Sequence, residues 1–450
     1  MKIVFFEHNP YMSVELLDLI DNYKIVCYND DSTYELLKKN WGVSSYLNTE
    51  FVEELESDQV AEILLGDKNF LNRVILGRED SKVLFFYMNS KMDELLKNTG
   101  MPMLLPAYDL QEKLGNKNLF SEICKELNIA ENKSLSFKKV PKNLSDLFMR
   151  CQNALGLPFI VQDALGASGA ETSLAGTENE LRKAGEKIKQ GLRITKYLPN
   201  NIPVSVHICI SNDQIIIQGP WLQLIGLPEL SADPFRFTGN DTNQSLLDRS
   251  FINKVRDMSE KIGVFARLKG YQGILGVDYL WDKDTNTIYP QEINSRLVGL
   301  TRLLTGIQKD QFIFPDLLKH IEAFDTPHYS AKCKMLHPGD IDLSRHDYSQ
   351  VIIRNNLPKN IIISKRIEPS IYRMRDGSLE KTKSSLFVHD MGDDDILVVS
   401  SAHEGCELYP GEVIAKFILK KSVIENSRYK LKTDAIRLVD SIKKYTTIPR

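Results

Sequence analysis

The chain has 450 residues, of which 42% are hydrophobic and 26% charged, and this composition excludes a peptide module and a disordered chain. Its 57 Lys and Arg nearly balance 60 Asp and Glu, for a formal net charge of −3, so overall charge favours neither a nucleic acid nor a membrane as a partner. The six cysteines are far apart and form no C-x-x-C pair, which predicts reduced, buried thiols. No run of about 18 apolar residues is available to span a bilayer, and we expect a cytoplasmic protein.

The first 110 residues alternate short apolar runs with amphipathic stretches. The apolar runs lie at 2–6, 24–28 and 83–87. This alternation predicts a parallel α/β layer. No G-x-G-x-x-G follows the first predicted strand, which argues against a dinucleotide site. We interpret residues 1–110 as a scaffold domain.

Residues 111–325 mix both kinds of element. The patterns predict helices at 110–127, 178–190 and 250–268 and strands at 157–162, 203–211 and 214–218. Small residues crowd the loop that follows the first of these strands, at 163–172. Beyond residue 326, short apolar runs separated by turn residues predict a β-rich region with a terminal helix at 431–444.

The most informative segment is a predicted hairpin at 270–296. Residues two apart on a strand face the same side, so Glu292 and Asn294 project together, and antiparallel pairing can bring Asp278 beside them. Two carboxylates repel each other when buried, and a divalent cation relieves that repulsion. An all-oxygen set with few protein ligands suits Mg²⁺. The hairpin therefore indicates a magnesium site.

Arg296 has the same strand parity as Asn294 and could bind an anionic substrate group through two hydrogen bonds. A different interpretation stays open, in which the hairpin is a solvent-facing edge with ordinary ion pairs. Pro290 within the second run favours an edge strand or a bulge.

Asp278, the Glu292-x-Asn294-x-Arg296 pattern and the small-residue loop resemble the ATP-grasp superfamily of carboxylate ligases. The resemblance covers about 110–321 and is closest to the biotin-carboxylase-like branch and to amino-acid and peptide ligases. It implies an α/β protein with three parts: a pre-ATP-grasp domain at 1–110, a two-lobed α+β core and a β-rich region at 326–450. The small lobe of the core is expected at about 111–195 and the large lobe at about 196–325.

The resemblance also implies a role for each matched residue. Lys117 and Gln162 would bind the nucleotide phosphates, a lid with Gly166, Ser168 and Gly169 would cover them, and Lys196, Tyr197 and Leu198 would pair with adenine. Asp278, Glu292 and Asn294 would be the Mg²⁺ ligands, and Arg296 would steady an acyl phosphate.

Two positions depart from the family pattern. Gln162 stands where a second phosphate-binding lysine is usual, and Ser205 stands where many members have an acidic residue. His207, on the same strand face as Ser205, is either an interior group or a further site candidate. Phe235 and Phe237, in the loop at 226–243, either shape a substrate pocket or pack in the core, and the same alternatives apply to Trp221.

The function implied by the resemblance is an ATP- and Mg²⁺-dependent ligase. It would activate a carboxylate, expected to be an amino acid or a peptide, as an acyl phosphate for attack by an amine or a carrier-protein thiol. Two alternatives stay open: a biotin-carboxylase-like enzyme that activates bicarbonate, and a catalytically degenerate nucleotide-binding regulator. We expect small-molecule substrates, no nucleic-acid or membrane partner, and a homodimer as a possible assembly.

Overall fold

The computed structural model describes residues 2–7, 12–27, 36–37, 57–74, 81–166, 169–211, 213–344, 346–375 and 377–449. The strands are β1 (Lys2–Glu7), β2 (Tyr23–Cys27), β3 (Ser81–Phe85), β4 (Ser134–Phe137), β5 (Phe159–Asp163), β6 (Thr172–Ala175), β7 (Leu192–Lys196), β8 (Asn201–Ile210), β9 (Ile215–Gln223), β10 (Gly239–Asp241), β11 (Gly273–Asp282), β12 (Thr287–Asn294), β13 (Ser349–Arg354), β14 (Ile361–Ile363), β15 (Ser370–Arg375), β16 (Ser378–Lys383), β17 (Asp395–Ser401), β18 (Glu407–Leu408), β19 (Val413–Leu419) and β20 (Thr447–Pro449). The α-helices are α1 (Ser57–Gly66), α2 (Lys68–Val74), α3 (Ser90–Thr99), α4 (Tyr108–Gly115), α5 (Lys117–Glu126), α6 (Leu144–Leu155), α7 (Glu178–Gly185), α8 (Arg249–Leu268), α9 (Leu300–Asp310), α10 (Asp316–Glu322) and α11 (Thr433–Thr446). Single 3₁₀ turns lie at Ser13–Leu16, Cys333–Met335 and Val388–Asp390.

The N-terminal strands form a three-stranded parallel sheet of order β2-β1-β3. The apolar run of β1, from Ile3 to Phe6, is buried throughout. Strands covered on both faces read as continuous apolar segments, which is why this run stands out in the sequence. The predicted parallel α/β layer is confirmed.

Two larger antiparallel sheets follow, and a third, of order β18-β14-β20, lies in the C-terminal part. The smaller has four strands in the order β4-β7-β5-β6 and packs against α6 and α7. The larger has ten strands in the order β12-β11-β8-β9-β10-β13-β19-β17-β15-β16, with α8 against β8 and β9. Strands of the predicted β-rich region therefore extend the same sheet that holds the predicted hairpin. The mixed α/β fold with a β-rich C-terminal part is confirmed.

The helix predicted at 110–127 is two helices, and the prediction of one continuous helix is wrong. The break falls at Asn116, whose side chain accepts hydrogen bonds from the backbone N–H groups of Asn118 and Leu119 and so begins α5. Apolar periodicity continues across the break, so the pattern alone does not reveal it. As a consequence, Lys117 is the first residue of α5.

The described cysteine side chains are free thiols, and four of them are buried, as predicted. Among the described residues, no helix has both the length and the apolar character needed to cross a bilayer.

A buried ion cluster joins the N-terminal segment to α9. The ammonium group of Lys309 lies 3.0 Å from a carboxylate oxygen of Glu15 and 2.8 Å from one of Asp18. The side chains of Lys309 and Glu15 are only 2% and 0% exposed. Arg302, two turns earlier on α9, has its Nε 3.8 Å from the other oxygen of Glu15. Removing one member leaves a buried charge without its partner.

Lys309→Ala is therefore expected to lower the free energy of unfolding by about 3–5 kcal/mol. Urea denaturation followed by tryptophan fluorescence measures the loss. The matched control is Lys91→Ala, because the Lys91–Glu94 pair is exposed and such pairs contribute at most about 1 kcal/mol. Equal losses in the two variants would show that the buried cluster is not stabilising.

Candidate active site

A cavity of about 560 Å³ lies between the four-stranded and the ten-stranded sheet. All of the predicted site residues except Ser168 line it. Ser168 lies outside the described residues. The fold thus brings together residues that are up to 179 positions apart in the chain, from Lys117 to Arg296.

The predicted metal ligands meet on the hairpin of β11 and β12. Asp278 is paired directly with Glu292, and the register shifts after Asp278. This register shift is a bulge, and β12 is an edge strand of the sheet. The edge strand and the bulge that Pro290 indicated are therefore both present. The side-chain amides of Asn294 and Gln223 each donate a hydrogen bond of 2.9 Å to a different oxygen of Asp278.

The two carboxyl groups differ in their protonation. Burial raises the pKa of Asp278 to about 8, and the nearby Glu292 carboxylate adds to the rise. Burial also raises the pKa of Glu292. The charge and the hydrogen bond of Lys117, together with the charge of Arg296, outweigh burial and hold the pKa of Glu292 below its usual value. The negative charge therefore resides on Glu292, where the Lys117 ammonium lies 2.7 Å from Oε2.

This donor set fits Mg²⁺. Within the described part of the chain, no group of three or more His, Cys, Asp or Glu side chains is arranged as a metal site. Two carboxylates and the Asn294 amide oxygen are enough for Mg²⁺, because this ion keeps several water ligands. A bound cation would also offset the burial and the repulsion by Glu292 that together raise the pKa of Asp278.

Lys117 links the metal-ligand pair to the lid. Its Nζ contacts Glu292 and also donates a hydrogen bond to the backbone carbonyl of Gly166. Gly169, farther along the lid, has φ +75°, and a Cβ there would lie 2.0 Å from the carbonyl oxygen of Phe235. Only glycine permits that approach, so Gly169 lies against the backbone of the loop that carries Phe235.

Arg193, on β7, is a site residue that sequence reasoning missed. Its side chain is 2% exposed, and Nη1 donates to the carbonyl oxygens of Lys117 at 2.6 Å and Gln291 at 3.4 Å. The guanidinium also lies 3.9 Å from the Glu131 carboxylate. It therefore joins the small sheet to the first residue of α5 and to the hairpin of β11 and β12. A single arginine between the apolar residues of a buried strand is the signal that could have identified it.

The hinge residues line the other end of the cavity. Asn132 Nδ2 donates to the carbonyl of Lys196 at 2.8 Å, and Asn201 Nδ2 donates to that of Leu198 at 2.7 Å. Within the described residues, the carbonyl of Tyr197 and the N–H of Leu198 make no hydrogen bond. One acceptor beside one donor is the pair of groups that an adenine edge needs.

His207 is an interior group. Its side chain is fully buried, with Nδ1 3.9 Å from an Asp316 carboxylate oxygen, and it does not line the cavity. Burial lowers the pKa of His207 to about 4, although Asp316 opposes the shift. Ser205 does line the cavity, and its Oγ accepts a hydrogen bond of 3.2 Å from Asn240.

Trp221, Phe235 and Phe237, the aromatic residues at or near the loop 226–243, were each predicted either to shape a substrate pocket or to pack in the core, and the structure shows both. Trp221 is 2% exposed and packs in the core, whereas Phe235 and Phe237 are half-buried and line the cavity.

The fold of the chain is the ATP-grasp fold, as its solved structural neighbours show. The biotin carboxylase domain of 2-oxoglutarate carboxylase from Hydrogenobacter thermophilus, crystallised as a dimer with MgADP, ADP and bicarbonate, has a TM-score of 0.64 at 15% identity, covering 94% of this chain and 86% of that one. N5-carboxyaminoimidazole synthase from Aspergillus clavatus, in complex with ADP and 5-aminoimidazole ribonucleotide, has a TM-score of 0.59 at 11% identity, covering 98% of each chain. N5-carboxyaminoimidazole synthetase from Staphylococcus aureus, complexed with ADP, has a TM-score of 0.56 at 13% identity, covering 99% of this chain and 96% of that one. The sequence matches no protein-family model and no curated protein. The predicted fold is confirmed.

Arg193→Ala is expected to lower the free energy of unfolding by at least about 2 kcal/mol, because it leaves buried carbonyl groups without their donor. Thermal and urea denaturation provide the measurement. Arg182→Ala is the matched control, since Arg182 lies on α7, which packs against the same four-stranded sheet, and its side chain is 58% exposed. A loss no larger than that of the control would mean that Arg193 does not tie the two sheets together.

Proposed function

We propose that the chain is an ATP- and Mg²⁺-dependent ligase that activates a carboxylate and transfers it to an amine or a thiol. The observation that carries this proposal is the convergence of Lys117, Arg296 and the Asp278–Glu292 pair on one cavity. Two cations and a divalent-metal donor set in one place are suited to a polyphosphate. The neighbouring hinge adds an acceptor and a donor for an adenine ring.

In this proposal, Lys117 exchanges partners when nucleotide binds. Its ammonium neutralises Glu292 in the free protein. Once Glu292 binds a metal, Lys117 can turn to the phosphates, and its contact with Gly166 brings the lid into the same movement. When bound, Mg²⁺ at Asp278, Glu292 and Asn294 supplies positive charge that offsets the charge of the γ-phosphoryl group.

The proposed reaction has two balanced steps. A carboxylate oxygen of the substrate attacks the γ-phosphorus, the bond to the β-γ bridging oxygen breaks, and ADP leaves. An amine or thiol then attacks the acyl carbon, the bond to the phosphate oxygen breaks, phosphate leaves, and the acceptor loses its proton. The lid excludes water that would otherwise hydrolyse the acyl phosphate.

Arg296 is suited to hold the substrate carboxylate and its acyl phosphate. Its guanidinium carbon lies 5.9 Å from the centre of the Tyr87 ring. Within the described residues, the guanidinium forms no salt bridge or hydrogen bond. A half-buried arginine with unused donors is free to bind a carboxylate or phosphoryl oxygen with two hydrogen bonds.

Arg193 favours an active enzyme over a degenerate regulator. Gln162 lacks the charge of the usual lysine, but its direct partner on β7 is Arg193. Opposite residues of an antiparallel pair share one sheet face, so the buried positive charge of Arg193 lies beside the neutral amide of Gln162. A positive charge is thus present on the strand adjacent to β5, held at the carbonyl oxygens of Lys117 and Gln291.

Bicarbonate activation is the second candidate, because the Hydrogenobacter domain, crystallised with bicarbonate, has the same fold. ADP release by the full chain, measured with MgATP and either bicarbonate or pooled amino acids, separates the candidates. Release with amino acids supports the ligase, and release with bicarbonate alone supports the carboxylase. Tight MgADP binding without turnover in any mixture supports the regulator. The homodimer is also a proposal, and light scattering tests it.

Glu292→Gln is expected to reduce substrate-dependent ADP release by at least about 100-fold, because it removes a metal ligand charge and the partner of Lys117. The measurement is initial rate against Mg²⁺ concentration. Glu260→Gln is the control, since Glu260 is exposed on α8. Unchanged ADP release in Glu292→Gln would overturn the metal assignment.

A further inference from the structure

The cavity continues from the metal-ligand pair onto an apolar surface. Gly276 lies two residues before Asp278 on β11 and therefore faces the same side of the sheet. A Cβ at Gly276 would lie 2.7 Å from Cγ1 of Val298. The Val298 side chain thus packs on the sheet at Gly276, directly beside Asp278, because Gly276 has no side chain to occupy that space.

The same surface continues through the next residue to an aromatic ring. A Cβ at Gly299 would lie 3.2 Å from Cε1 of Phe237, so the Phe237 ring packs on the backbone that follows Val298. Both side chains are half-buried and line the cavity. We call Val298, Phe237, Phe235 and Phe86 the apolar wall. Phe86, which follows β3, and Phe235, below the lid, are also half-buried cavity-lining residues.

The position of the wall relative to charge limits what can bind on it. Arg296 is two residues before Val298, so the cation suited to a carboxylate adjoins the wall. Bicarbonate has no apolar part and would leave these side chains facing water. A carboxylate with an apolar, ring-sized group would cover them while its charge stays at Arg296 and the metal ligands.

We propose that the substrate is a carboxylic acid that carries an apolar group of about the size of an aromatic ring, bound on Val298, Phe237, Phe235 and Phe86. This inference rests on the proposed ligase function and specifies its substrate class. The phenylalanines are then specificity determinants.

The test uses the full chain with MgATP and hydroxylamine, which captures acyl phosphates without knowledge of the natural acceptor. Matched pairs of acids, L-phenylalanine with L-alanine and 3-phenylpropionate with propionate, are compared with bicarbonate by ADP release. We expect kcat/KM to be at least about tenfold higher for the ring-bearing acid of a pair. The ratio of kcat/KM for the ring-bearing acid to kcat/KM for its smaller partner is expected to fall at least about tenfold in Phe237→Ala. In Phe237→Leu we expect a ratio between those of the unmodified chain and Phe237→Ala.

Phe312→Ala is the matched control, because Phe312 is 63% exposed and does not line the cavity. If Phe237→Ala does not fold, the substrate comparison in the unmodified chain decides alone. ADP release that is equal within each pair, or greatest with bicarbonate, overturns the apolar substrate but leaves carboxylate activation standing. If none of the acids stimulates ADP release although MgADP binds, the proposed function and this inference are overturned together.

Discussion

The repulsion between the carboxyl groups of Asp278 and Glu292 is the constraint on which the candidate site depends. Antiparallel pairing of β11 with β12 places the two half-buried groups side by side. The free protein resolves the conflict by keeping a proton on Asp278 and by holding Lys117 against Glu292. Both solutions are provisional, because a divalent cation satisfies both carboxylates at once. Under the proposed function, this arrangement prepares the site for a metal and, with Lys117 released, for phosphate.

Around this pair, hydrogen bonds from neighbouring side chains fix the geometry. Gln223 and Asn294 orient Asp278. Arg193 holds the backbone of Lys117 and of the hairpin from the small sheet. The C-terminal part contributes as well, since the hydroxyl of Tyr429 contacts the backbone of Gln223 and Ile225. The sheet that carries Asp278 and Glu292 and the region beyond residue 326 are therefore one physical unit at the cavity.

Much of the fold and of the candidate site was predictable, because it depends on local pattern. Apolar runs identify the N-terminal strands, and strand parity identifies Glu292 and Asn294. Arg296 lines the cavity as expected, but the strand parity predicted for it is wrong, because β12 ends at Asn294. Pro290 correctly indicates an edge strand and a bulge. The break at Asn116 was missed because a polar cap between two amphipathic helices leaves their apolar periodicity intact. Arg193 was missed because its partners come from α5 and β12, which are distant in sequence.

The sequence by itself determined which chemical groups are present and which face of each element they occupy, because residue type and strand or helix period are local properties. Only the tertiary structure decided which groups meet. It places His207 in the interior and Ser205 on the cavity, although the two share a strand face. It also places Trp221 in the core and Phe237 beside Gly299. Burial and contact depend on how distant elements pack, and that packing is set by the whole chain rather than by any one segment.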